Sequence, residues 1–305
     1  MRRLFDCWPE IASRIQSAGS IALFLDFDGT LARIRPTPAE VHLSPPMRSA
    51  VGRLAANDRA DVWVISGRTR DDVRERTGLS QVRYLGIHGW EGGLETALEP
   101  EIARELEQTR RSLEKRIGTL RGVWIENKGP ALAIHYREAG EAESSQARAS
   151  MHEVMVRLNG GFRLLNGKKV WEILPREVGD KGSAVRRELG RLKSRPLPVY
   201  VGDDCTDERA FAALPDGLTI RVGPHSLSRA QFRLRDPGEV RRFLERLELE
   251  LSLVSRPELS TRSQNFFPDH ACQYTGKPLP ISAIRRTERR VPMAKVDRAS
   301  GNLKF

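Results

Sequence analysis

Apolar residues in this chain fall in two patterns, short unbroken runs and helical spacings, and the two alternate through the first hundred positions. Ile21-Ala22-Leu23-Phe24-Leu25 is continuously apolar and too short for a helical pattern, so it predicts a buried parallel strand. Residues 45–56 carry Met47, Val51, Leu54 and Ala55 at the three-and-four spacing of an amphipathic helix. Asp61-Val62-Trp63-Val64-Ile65 predicts the next strand, residues 69–77 a short helix ended by Gly78, and residues 83–87 a strand running into His88-Gly89. This strand–helix alternation implies a parallel sheet with helices packed on its faces.

The middle of the chain changes character. Residues 99–118 form a charged amphipathic helical pattern. Strands are expected at 123–126 and 131–137 around a loop containing Lys128-Gly129-Pro130. A helix at 144–158 follows, and then a second hairpin, 162–165 and 169–174, turning at Asn166-Gly167. After Pro175 the first rhythm returns, with helices at 181–192, 206–214 and 239–253 and strands at 198–202 and 218–222. The expected fold is α/β: a doubly wound, Rossmann-like parallel-sheet core made of residues 1–95 and 175–254. An inserted α+β cap occupies residues 96–174.

Composition narrows the classes. At 305 residues, 39% hydrophobic, the chain is long enough for two domains. No apolar stretch approaches the roughly 20 residues that span a bilayer. The first sixteen residues are broken by Asp6, Pro9 and Glu10 and lack a signal peptide's apolar centre. Cys7, Cys205 and Cys272 are odd in number and have no metal-ligand spacing, which points to a reducing compartment, the cytoplasm. The net charge of +11 would suggest nucleic acid if it were spread over the fold. From 256 to 305, however, ten Lys/Arg stand against four Asp/Glu, so this tail holds six of the eleven net charges. The tail, 255–305, is rich in Pro, Ser and Arg without sustained periodicity and reads as basic and disordered, its role unassigned. The core is expected to engage neither nucleic acid nor membrane, and a mildly basic enzyme suits an anionic substrate.

Chemistry enters where the first strand ends. Asp26-Phe27-Asp28-Gly29-Thr30 puts two carboxylates at the edge where open α/β sheets bind ligands. Two acids in such a place repel unless a cation or a proton lies between them. Gly29 and Thr30 allow a sharp turn that brings backbone N–H groups toward an anion. Ser66 ends the second core strand at the same edge, followed by Gly67 and Arg68. Its hydroxyl can donate to a phosphoryl oxygen, although a serine there can equally serve as a turn or helix cap. Lys181 opens a helix, where the dipole disfavours a cation, so an anionic partner is expected. Gly202-Asp203-Asp204-Cys205-Thr206-Asp207-Glu208 ends a strand with four acids in six residues, costly without a metal.

These groups fit one reaction, metal-assisted phosphoryl transfer. Asp26 and Asp203 supply carboxylates to Mg2+, Asp28 its main-chain carbonyl, and Asp207 a direct or water-bridged contact, with Asp204 as the open alternative. Asp26 attacks phosphorus to give an aspartyl-phosphate, and Asp28 moves the protons of the leaving group and of the hydrolytic water. Ser66 and Lys181 hold the transferring oxygens.

The four segments and their order resemble the haloacid dehalogenase superfamily of phosphohydrolases, and in detail the trehalose-6-phosphate phosphatase family. The supporting segments are Val64-Ile65-Ser66-Gly67-Arg68, Gly86-Ile87-His88-Gly89-Trp90-Glu91, the stretches around Glu126-Asn127-Lys128 and His135-Tyr136-Arg137, and Val170-Trp171-Glu172-Ile173-Leu174-Pro175. The likeness covers residues 20–250 and implies a HAD-type core with a sugar-selecting cap. It implies a magnesium-dependent phosphatase of trehalose biosynthesis acting on trehalose 6-phosphate, with a functional link to a trehalose-6-phosphate synthase. Within the same superfamily, sucrose 6-phosphate or a glucosylglycerol phosphate is the alternative substrate; a binding or regulatory protein is the reading from another class. By resemblance, Glu126, Lys128, Arg137 and Glu172 hold the sugar and His88 lines the cleft; from the residues alone, Glu126, Lys128 and Arg137 could equally form cross-strand ion pairs, and His88 a structural contact. The family pattern commonly has Asn where Ile87 stands.

Overall fold

Seven strands form one sheet in which every neighbouring pair is parallel. The structure, a computed structural model, describes residues 1–253 apart from 36, 93–96, 159 and 225–226. The expectations for the 95/96 boundary and for residues 255–305 lie outside the described residues. In chain order the elements begin with β1 (Arg2–Arg3), α1 (Trp8–Ala18), β2 (Ile21–Asp26), α2 (Pro45–Ala55), β3 (Ala60–Ile65), α3 (Arg70–Thr77) and β4 (Arg83–Leu85). Then come α4 (Pro100–Ile117), β5 (Trp124–Asn127), β6 (Leu132–His135), α5 (Glu141–Arg157), β7 (Phe162–Gly167) and β8 (Val170–Pro175). The chain continues through α6 (Lys181–Arg191), β9 (Leu197–Gly202), α7 (Glu208–Ala213), β10 (Leu218–Val222), β11 (Phe232–Leu234) and α8 (Pro237–Leu253).

The strand order of the parallel sheet is β1-β11-β10-β9-β2-β3-β4. From β2 the chain steps outward through β3 and β4; from β9 it steps the opposite way through β10 and β11. The order therefore reverses between β2 and β9, and side chains at the carboxyl ends of these two strands face a crevice no crossover covers. Alternation along β2 explains why its whole run is apolar. Leu23 and Leu25 join the cluster with Ile11, Ile15, Val51, Phe243 and Leu247 of α1, α2 and α8. Ala22 and Phe24 face the other way, toward Val185 of α6 and Phe211 of α7. Phe24 stacks on Trp63 across the β2–β3 pair, ring centroids 4.6 Å apart.

Between β4 and β9 lies a second, antiparallel sheet of order β5-β6-β8-β7. One of its faces carries Leu132, Ile134, Trp171 and Ile173 and packs with α4 and α5 through Leu106, Leu113, Ala147 and Met151. The other face carries the cross-strand row Glu126, Ala133, Glu172 and the row Trp124, His135, Val170. Alanine between two glutamates leaves room for both carboxylates to reach over it.

One local expectation differs from the structure. The β7–β8 turn is Lys168-Lys169, not Asn166-Gly167. The observed register sets Leu164 opposite Ile173; a turn at Asn166-Gly167 would have set Leu164 against Lys169. Matched apolar burial thus outweighs the turn preference of Asn-Gly, and Lys169 takes the left-handed φ of 66°. In α1, Pro9 lies in the first turn, where its missing N–H costs nothing.

Candidate active site

Asp26 is the last residue of β2 and Asp203 directly follows β9, so the parallel β2–β9 pairing brings the two carboxylates together at the crevice. Asp207 stands one helical turn further on. Oxygens of Asp26, Asp203 and Asp207 all lie within 4.8 Å of one another, and all three residues are buried. Gly29, at φ 86°, lies so close to Asp203 that a Cβ there would collide with its carboxylate. Its N–H donates to Ala32 O at 2.7 Å within the turn. Gly29 therefore serves the cluster through its backbone shape and small size, and that N–H is not free for an anion.

Lys181 is the first residue of α6, with Asp180 as N-cap in a reciprocal cap with Ser183. Its ammonium donates to Asp26 Oδ1 and to Asp207 Oδ1, both at 2.7 Å. The anion expected from a cation at a helix start is thus two carboxylates. Tyr200 donates its hydroxyl to Asp207 Oδ1 at 2.7 Å, and the Asp204 N–H donates to Asp207 Oδ2 at 2.8 Å. Burial alone would push Asp207 up, but Lys181, the Asp204 N–H and Tyr200 outweigh it and hold the carboxyl below the ordinary aspartate value. Asp26 moves the other way: burial, with repulsion from Asp207 and Asp203, raises it well above the ordinary range despite Lys181. Asp203 is pushed up to about 6 by burial, against the pull of Lys168. For Lys181 burial lowers the pKa, and Asp207 and Asp26 more than reverse this. Asp26 Oδ2 is buried without a hydrogen-bond partner.

Asp28 sits apart from this cluster. Arg68 holds it with two parallel bonds, Nε to Oδ2 at 2.7 Å and Nη2 to Oδ1 at 2.8 Å, and also binds Asp72. Ser66 Oγ accepts from the Arg68 N–H at 3.1 Å, which leaves its own proton free to donate. Ser66, Gly67, Arg68 and Asp28 wall one cleft with Asp26, Lys181 and Asp203; its volume is about 550 Å3. Thr30 is fully buried, its hydroxyl without a partner, and neither it nor Gly29 is on the cleft wall.

The antiparallel sheet closes over the same cleft. Glu172 accepts from Lys128 Nζ at 2.6 Å and lies 2.7 Å from His88 Nε2, and Lys128 also donates to Gly67 O at 2.9 Å. This chain ties β8 and the β5–β6 loop to the loops after β3 and β4. His88 reaches its place through a strained turn, with Ile87 at φ 45°, His88 at 56° and Gly89 at 102°. A buried, β-branched residue in the left-handed region is costly. Burial pushes Glu172 up, but Lys128 and His88 together carry it far below the ordinary value. Burial likewise pushes Glu126 up, yet His135, at 2.9 Å, and Lys128 bring it down. Arg137 walls the cleft and donates to Lys168 O at 2.7 Å.

Sequence reasoning missed Lys168, Tyr200 and His135 as members of the site. Lys168, from the turn of the antiparallel hairpin, pairs with Asp203. The displaced turn hid it, and matching Leu164 to Ile173 would have revealed it. Tyr200 carried a signal in its hydroxyl, a polar atom inside an apolar strand that had to find a partner.

Comparison with known proteins adds a family to this geometry. The family model for trehalose-phosphatase matches residues 24–233. The trehalose-phosphate phosphatase of Mycobacterium marinum is 35% identical over 248 residues, covering 76% of this chain and 63% of that protein. A probable trehalose-phosphate phosphatase 3 of Oryza sativa subsp. japonica is 31% identical over 269 residues, covering 79% and 72%. Among solved structures, the C-terminal domain of C. albicans trehalose-6-phosphate phosphatase superimposes with a TM-score of 0.69 at 24% identity. That match covers 81% of this chain and 98% of that one and bears on the fold. The chain spans a little under two thirds of the length of the mycobacterial relatives it matches.

Proposed function

We propose that this chain, which belongs to the trehalose-phosphatase family, hydrolyses trehalose 6-phosphate to trehalose and phosphate through an aspartyl-phosphate on Asp26. The observation that carries this reading is the buried cluster of Asp26, Asp203, Asp207 and Lys181 at the reversal point of the parallel sheet, open to a cleft lined by cations. In this proposal residues 1–95 and 175–254 are the catalytic core, 96–174 the cap that selects the sugar, and a trehalose-6-phosphate synthase supplies the substrate.

The residues present fit Mg2+. The donors are hard carboxylate oxygens, Asp26 Oδ2 is buried and unpartnered, and two of the three acids are raised by burial and mutual repulsion. Asp26, Asp203 and Asp207, with the Asp28 carbonyl, would hold the ion. When bound, Mg2+ supplies the positive charge that keeps Asp26 and Asp203 ionised and screens them from a phosphate dianion.

The remaining work belongs to the chain. The Asp26 carboxylate attacks phosphorus, a P–O bond to aspartate forms, and the bond to the sugar oxygen breaks. Lys181, already against Asp26, neutralises charge on the transferring oxygens, and the free Ser66 proton donates to one of them. Asp28 protonates the departing sugar oxygen and then takes a proton from the water that opens the acyl phosphate. Arg68 fixes the plane of the Asp28 carboxylate beforehand. The cap residues Glu126, Lys128, Arg137, Glu172 and, from the core, His88 meet the sugar hydroxyls, and closure over the cleft keeps bulk water from the intermediate.

Phosphate release measured with magnesium on trehalose 6-phosphate, sucrose 6-phosphate and glucose 6-phosphate tests the proposal. Trehalose 6-phosphate is expected to be turned over fastest, and Asp26→Asn to abolish release while circular dichroism stays unchanged. No turnover of trehalose 6-phosphate would overturn the substrate; residual activity within tenfold of wild type in Asp26→Asn would overturn the nucleophile.

A further inference from the structure

The cleft-facing side of the antiparallel sheet carries an aromatic surface that the phosphate chemistry leaves unused. Trp124 opens β5, walls the cleft and is 45% exposed, the only aromatic among the exposed large hydrophobic side chains of the described residues. A single exposed aromatic is ordinary by itself. This one is held in a fixed plane. His135, directly opposite in the β5–β6 pairing, lies parallel to the indole with ring centroids 3.8 Å apart and planes 10° apart. His135 is in turn anchored by Glu126 at 2.9 Å. One face of the indole is braced and its orientation is set before any ligand arrives.

Position adds the second part of the argument. Glu126 belongs to the polar row that runs through Glu172 to His88 and the core. Trp124 is two residues along the same strand on the same face, about 7 Å away at the rise of an extended chain. That offset is close to the width of one pyranose ring. A sugar phosphate held with phosphorus at Asp26 and its first ring on the polar row would present a second ring to Trp124. The C–H face of a pyranose packs on the electron-rich face of an indole, while the hydroxyls at its rim remain for Glu126, His135 and Arg137.

We propose that Trp124, braced by His135, is the platform for the distal ring of a disaccharide phosphate and so selects two-ring over one-ring substrates. This rests on the reading of the cleft as a sugar-phosphate site.

The test compares wild type, Trp124→Ala and Trp124→Phe on trehalose 6-phosphate, sucrose 6-phosphate, glucose 6-phosphate and p-nitrophenyl phosphate. Trp124→Ala should lose tenfold or more in kcat/KM on whichever disaccharide phosphate is turned over, chiefly through KM. The other two substrates should change less than twofold, and Trp124→Phe should keep most of the wild-type value. Added trehalose should shift the wild-type tryptophan emission and leave that of Trp124→Phe unchanged. A loss of equal size on all substrates, or no loss on disaccharides, overturns the platform. Wild-type turnover of sucrose 6-phosphate without trehalose 6-phosphate overturns the trehalose assignment and leaves the platform to be judged on sucrose 6-phosphate. Turnover of no disaccharide phosphate overturns both.

Discussion

Glu172 shows how a single side chain links stability to the site. It is buried between Lys128 and His88, and its folded-state carboxyl lies far below the ordinary 4.5 because those partners outweigh burial. A depressed carboxylate adds stability that is complete above the unfolded value and is lost as pH falls through the folded one. Urea unfolding of the wild type should therefore show no contribution from this group to the pH dependence between pH 5 and 8, and a growing loss below about 4.5. Glu172→Gln should cost about 3 kcal/mol at pH 7, because buried Lys128 loses its nearest counter-charge and keeps only the more distant Glu126, at 4.0 Å, and its acid limb should be shallower. An acid limb parallel to that of the wild type would remove the linkage. His88 and Glu172 sit 84 positions apart and share no sequence pattern, so their pairing was not legible before the fold. Asp26, Asp28, Lys181 and Asp203 were legible, because strand ends and a helix start give charge a place that needs explaining.

Elements were read well where periodicity was long and poorly where geometry outweighed local preference. The expected helix at 45–56 and strand at 61–65 match α2 and β3 within a residue. Strands β1 and β11, of two and three residues, carry too few positions for any alternation to register. In the β7–β8 hairpin, Asn166-Gly167 offered the better turn chemistry, yet pairing Leu164 with Ile173 moved the turn to two lysines. The cost appears as the left-handed Lys169, an exposed residue at φ 66°. Relief of about 1–2 kcal/mol of left-handed strain, less the extra unfolded-state freedom of glycine, gives Lys169→Gly a net gain of about 0.5–1 kcal/mol. Its melting temperature should rise by about 1–3 °C in a thermal scan. A lower melting temperature would mean that the turn is not strained.

At the scale of the whole molecule, one excursion of the chain shapes the cleft. The parallel sheet brings Asp26 and Asp203 together at the β2–β9 reversal, and the excursion between β4 and β9 lays a second sheet across them. Lys128 on Gly67, Glu172 on His88 and Lys168 on Asp203 fasten the two sheets around the cleft. Among the described residues no helix is long and apolar enough to cross a membrane. Among the described residues, those on the cleft wall all lie between positions 26 and 206. Truncation after Leu253 should therefore leave kcat/KM on the preferred sugar phosphate within twofold of the full chain. A larger loss would give the basic tail a part in catalysis.

The sequence by itself determined the alternation of strands and helices, the change of pattern between them, and the acids and the lysine at strand and helix ends. These depend on neighbours along the chain, through periodicity, caps and the cost of unpaired charge. Tertiary structure alone decided that Asp207 rather than Asp204 joins the carboxylate cluster, that Arg68 grips Asp28, and that Lys168 reaches Asp203. Those contacts arise from sheet order and strand register, where residues far apart in sequence meet and burial sets the strength of every charge between them.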